Sequence, residues 1–207
     1  MIAPARAAAF TALRDVNAGR ADLPAALAAV RPALQDERDR ALATDLVTGT
    51  LRWQRQLDYL IEHFSKRSLS KLDFEVLQIL RLGAYQLLHL DRVPASAAVN
   101  DAVAMTRRAR KTSAAGLVNA VLRAISRNVH RLPLPLRPPG GDPLPYLEVS
   151  LSHPAWLANR LTVVGATARY RSARTPVRLA TAASRTSTRP KSRRKSPSTA
   201  DCSKHGR

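Results

Sequence analysis

Residues 73–90, DFEVLQILRLGAYQLLHL, decide the fold class. Val76, Leu77, Leu80, Ala84, Leu87 and Leu88 recur at spacings of three and four, so they share one broad face of an α-helix. So wide a stripe suits a helix at the centre of a core. Asp73 stands where its carboxylate can accept from a free backbone N–H of the first turn.

Helical spacing continues on both sides. Upstream, Leu57, Leu60, Ile61 and Phe64 form one apolar set, and Leu42, Leu46 and Leu51 another. Asp36 opens the latter helix, with Glu37 and Asp39 in a first turn where the helix dipole favours them. Asp22 caps a helix carrying Leu23, Leu27 and Val30. Residues 3–18 make the first helix, with Phe10, Leu13 and Val16 inward and Gly19 placed to stop it. Downstream, Pro94 restarts the chain ahead of Val99, Val103 and Thr106. Ser113 is expected to cap a last helix, with Leu117, Val118, Val121, Leu122 and Ile125 inward. No segment alternates with period two. The expectation is therefore an all-α fold of seven helices in one bundle, at residues 1–131 and ending near His130.

The remainder has a different character. Six prolines and two glycines between positions 132 and 146 read as a linker. Residues 147–161 contain one short amphipathic helix with Pro154 in its first turn. At 162–207 periodicity vanishes and Arg, Ser, Thr and Ala dominate. Of the 34 Lys and Arg, 12 fall there, with one of the 15 Asp and Glu, so this stretch carries +11 and the rest of the chain +8. A tail so charged and so poor in apolar anchors is expected to be disordered. A moderately basic folded part suits a polyanion. No apolar run approaches the ~18 residues of a membrane span, so a cytoplasmic, monomeric protein without membrane contact is the simplest expectation.

Three stretches carry a resemblance: RDRALATDLVTGTLRWQRQLDYLIEHF, LRLGAYQLLHLDRVPASAAVNDAV and GLVNAVLRAI. In order and spacing they resemble the NusB-like domain at the N-terminus of bacterial 16S rRNA cytosine-C5 methyltransferases of the Sun/Fmu type. YLEVSLSHPAWLANRL is similar to the same family's continuation. The resemblance covers about residues 1–161. It implies a bundle of two packed sub-bundles that holds ribosomal RNA for a downstream domain using S-adenosylmethionine. In the family that catalytic domain follows the SHPAWL segment. Here the sequence departs, which implies truncation or an out-of-frame continuation. A free-standing NusB-like antitermination factor, working with a ribosomal protein, is the alternative.

The chemistry of the family's reaction is not expected of this chain. Methylation at carbon 5 requires a cysteine thiolate to add at carbon 6. Cys202 is the only cysteine, and it lies in the basic tail. The scattered glycines offer no phosphate- or adenosine-binding turn, so no cofactor is expected in this chain. The five histidines lack metal-ligand spacing.

RNA binding remains. Arg107, Arg108, Arg110 and Lys111 cluster at the end of the sixth helix. Arg123 and Arg127, with Arg131 beyond them, recur every four residues along the seventh. Arg6 and Arg14 stand on the first helix, which the resemblance puts near RNA. Guanidinium groups fork onto phosphates and stack on unpaired bases. The same RRARK run also suits a helix C-terminus, where cations favour the dipole, and both readings stay open.

Overall fold

The computed structural model describes residues 2–139 and 141–163. Seven helices form the bundle: α1 (Pro4–Asn17), α2 (Leu23–Val30), α3 (Glu37–Arg52), α4 (Gln54–Ser65), α5 (Phe74–His89), α6 (Ala95–Arg108) and α7 (Ala115–Arg127). One π-helical turn (Tyr146–Ser150) and α8 (Ala155–Val163) follow. No strand occurs among the described residues. The expected all-α class and the seven bundle helices are all present.

The caps read from the sequence act as anticipated. The side chains of Asp22, Asp36 and Asp73 accept from Ala25, Arg38 and Glu75 N–H at 2.8, 2.8 and 3.1 Å. Gly19 takes a left-handed φ of 67° just past α1, and the Arg20 N–H reaches back to the Asp15 carbonyl at 2.9 Å. Such a reversal suits a residue without a Cβ. Ser113 does not cap α7. It lies inside a short 3-10 turn, Thr112–Ala114, and α7 starts at Ala115 without a side-chain cap.

Helix α5 is the axle. Eleven of its sixteen residues are buried, including Ile79, Leu80, Leu82 and Ala84. On one side it meets α1 and α3, which with α2 form a first lobe; on the other it meets α4, α6 and α7, the second lobe. The face of α1 that enters the core is made of small residues: Ala5, Ala8, Ala9 and Ala12 are buried beside Leu13, while Phe10 is only partly covered. Small side chains let α1 approach α3 closely. Gly49 of α3 serves a similar end against α5, because a Cβ there would run into the Tyr85 ring. That approach lets the Tyr85 hydroxyl donate to Asp45 at 3.1 Å.

Two ion pairs are built into the bundle. Arg81 of α5 forks onto Asp58 of α4 at 2.6 and 2.8 Å. Burial pushes the Asp58 carboxyl up, against the pull of that guanidinium. The second pair, between α1 and α6, involves Arg6 and is taken up below.

The segment expected to be a linker lies against the bundle. Leu132 and Leu134 pack on the core, and the Ser150 hydroxyl donates to the Pro135 carbonyl at 2.5 Å. The π-turn then docks on α4. The Gln56 amide donates to the Ser150 carbonyl, and the Arg55 N–H donates to the Ser152 hydroxyl, both at 3.0 Å. Leu147, His153 and Ala158 are buried, whereas Trp156 is 70% exposed. Thr162 and Val163 complete α8. The other residues of the basic stretch expected to be disordered, 164–207 with Cys202, lie outside the described residues.

Candidate nucleic-acid interface

Arginines anticipated as one group fall into three environments. Arg6 faces inward and is 9% exposed. Its Nε donates to Gln86 Oε1 at 2.5 Å and its Nη1 to Asp101 Oδ2 at 2.7 Å. The guanidinium therefore ties α1 to α5 and α6, and its assignment to RNA is corrected. The register shows why. Arg6 sits three residues before Ala9 and seven before Leu13, on the buried stripe, and a buried cation requires a partner.

The turn from α6 to α7 is built differently. The Ala109 N–H closes α6 on the Met105 carbonyl at 2.8 Å, and the Lys111 N–H reaches the Thr106 carbonyl at 3.0 Å. Between them Arg110 adopts φ 59°, the left-handed place that glycine usually takes in such a cap. The turn thereby carries a cation at the position of the chain reversal. Arg107, Arg108 and Arg110 are exposed and form no ion pair with any described residue.

Lys111 is set apart from them. Its ammonium meets Asp73 Oδ2 at 2.5 Å and Glu75 Oε2 at 3.8 Å. The hydrogen bond to Asp73 raises the Lys111 pKa, and the same bond lowers that of Asp73. This lysine staples the turn to the start of α5, so it is not a free cation.

Three of the anticipated arginines line two grooves along α6. Arg14 and Arg108 line one groove with Phe10, Glu75, Met105 and Ala109. Arg107 lines the other, between α6 and α7, with Asn100, Gly116 and Asn119. Arg123 reaches that second groove indirectly, its Nε donating to Asn119 Oδ1 at 2.9 Å. Arg127 stands exposed one turn further on and lines neither groove.

Sequence reasoning passed over a buried ring stack. His89 lies between Trp53 and Tyr85, with centroids 4.6 and 5.2 Å away and nearly parallel planes. Its Nε2 is 3.3 Å from Gln56 Oε1, and Gln56 in turn holds the π-turn. Burial pushes the His89 pKa down to about 4 and, with Asp45 nearby, raises that of Tyr85. The aromatic spacing around 85–89 was visible, but the pairing with position 53 was not.

A helical bundle of two lobes turning on one buried helix, with exposed arginines at the turn from α6 to α7, is the class that these residues define. It is the architecture of the NusB family, and the chain belongs to that family, whose model matches residues 3–127. Ribosomal RNA small subunit methyltransferase B of Pseudomonas putida is 38% identical over 156 residues, 75% of this chain and 34% of that protein. Transcription antitermination protein NusB of Marinobacter nauticus is 39% identical over 85 residues, 41% of this chain and 54% of that one. Among solved structures, that of antitermination factors NusB and NusE in complex with dsRNA superposes with a TM-score of 0.55 at 24% identity. It covers 60% of this chain and 94% of its counterpart. The chain thus spans about a third of the length of the methyltransferase relatives it matches.

Proposed function

We propose that this chain binds RNA, specifically ribosomal RNA of the small subunit, as the N-terminal module of a methyltransferase B-type protein. The observation that carries this reading is the extent of similarity. The match to methyltransferase B runs over 156 residues, more than the 125 residues of the family model at 3–127, whereas the match to the antitermination protein spans only 85 residues. A docked π-turn and α8 extend this fold beyond the seven bundle helices. A free-standing antitermination factor has no evident use for them.

The grip would come from Arg107, Arg108, Arg110, Arg14 and the Arg123–Arg127 face, through phosphate contacts. The described residues contain no strand, and so no glycine turn between a strand and a helix to cradle an adenosine cofactor. They do not fit S-adenosylmethionine, which in the full-length proteins would supply the methyl group from another domain. This module's part is to hold the substrate RNA in place.

Titration of the full chain with a small-subunit rRNA fragment at several salt concentrations tests the reading. Arg107→Ala with Arg108→Ala should weaken binding and flatten the salt dependence by roughly 0.7–0.9 for each phosphate left without its arginine. Unchanged affinity and slope would remove these residues from the interface. Tight binding that required a NusE-like ribosomal protein would favour the antitermination reading.

A further inference from the structure

The groove between α1, the start of α5 and the end of α6 has a volume of about 320 Å3. Its lining combines three chemistries: Phe10, Met105 and Ala109 are apolar, Arg14 and Arg108 are cationic, and Glu75 is anionic. Phosphate binding alone does not account for the carboxylate, which repels phosphate. Core packing alone does not account for two arginines. Arg14 brings to the groove a side chain that is 40% exposed, with its Nε 3.5 Å from Oδ1 of the neighbouring Asp15.

A nucleotide has the matching parts. Its phosphates suit the guanidinium groups, the flat face of its base suits the apolar lining, and an exocyclic amino group can donate to the carboxylate. Glu75 is well held for that task, since it stands in the capped first turn of α5 with the Lys111 ammonium 3.8 Å from Oε2. Paired bases hide the edge that donates, so the base must be unpaired.

Resting on the reading that the chain binds RNA, we infer that this groove takes one unpaired base carrying an amino group, with Glu75 as the acceptor that selects it. Cytosine and uracil separate the idea cleanly, because the rings are the same size. Cytosine presents an amino donor where uracil presents a carbonyl oxygen, which the carboxylate repels.

The test is fluorescence anisotropy of the full chain with labelled eight-nucleotide oligocytidine and oligouridine. Binding through the basic tail adds equally to both and can only pull their ratio towards one, so it does not create a preference. Oligocytidine should bind on the order of tenfold more tightly, the usual weight of one hydrogen bond to a charged group. Glu75→Gln should bring the ratio close to one, because the amide can turn either its oxygen or its nitrogen to the base. Arg108→Ala should weaken both oligomers alike. With the unaltered chain, an oligomer of N4,N4-dimethylcytidine should bind no better than oligouridine. Equal binding of cytidine and uridine oligomers by the wild-type chain, or a preference that survives Glu75→Gln, would overturn the inference and leave RNA binding standing. No binding to these oligomers or to the rRNA fragment would overturn both.

Discussion

Helix α6 takes part in two regions that use arginine in opposite ways. Towards its middle, Asp101 receives Arg6 from α1 in a pair whose side chains are 11% and 12% exposed. At its end, Arg107 and Arg108 stand in solvent, paired with no carboxylate among the described residues. The first region fixes the position of α1 on the bundle. The second leaves its charge available to something outside the molecule. Positive charge in a sequence therefore identifies an interface only after the internally neutralised cations have been subtracted.

The sharpest way to break this contrast is Arg6→Ala. It strands Asp101 in a site that water barely reaches, and should destabilise the fold by about 3–5 kcal/mol in urea unfolding. A loss under about 1 kcal/mol would put Arg6 back among the surface cations. Replacing both partners by apolar residues, Arg6→Met with Asp101→Leu, should recover most of the loss.

A half-buried base with no acidic partner sharpens the same contrast. His89 titrates near 4 in the fold, below its ordinary value of 6.5. Between those values the unfolded chain takes up a proton that the native ring refuses, so stability falls as pH drops through the window. The loss should reach about 3 kcal/mol at pH 4. His89→Gln should remove that part of the pH slope; an unaltered slope would show that the ring stack is open to water.

Gly49→Ala changes no charge and so isolates the steric contribution to the first lobe. The new Cβ would meet the Tyr85 ring, and about 1–3 kcal/mol should be lost. Retention of full stability would mean that Tyr85 can leave Asp45 at little cost. The smallest effect belongs to the second region. Arg107→Ala with Arg108→Ala should change unfolding stability by no more than about 0.5 kcal/mol while weakening RNA binding. A large loss of stability would erase the distinction between the two regions.

Most of the fold was legible because its signals are local. Apolar spacing around Leu80, the three aspartate caps and Gly19 each act within one or two helical turns. Ser113 misled because a 3-10 turn intervenes before α7, and the choice between cap and turn depends on tertiary context. The proline run at 132–146 read as a tether because its anchor, Ser150 on the Pro135 carbonyl, joins residues fifteen apart. The candidate site was half legible. The turn arginines follow from sequence, but Arg6 depends on Asp101, ninety-five positions away. Glu75 was not singled out in the sequence, and its place in the groove with Arg14 and Arg108 depends on three helices meeting.

The two tryptophans carry a further use. Trp53 is 8% exposed and stacked on His89, while Trp156 is 70% exposed on α8. The molecule is thus a natural two-colour reporter. Its blue-edge emission follows the integrity of the bundle, and its red-edge emission, open to soluble quenchers, follows whatever comes to rest on α8. Folding and docking can be watched separately in one cuvette, without a label.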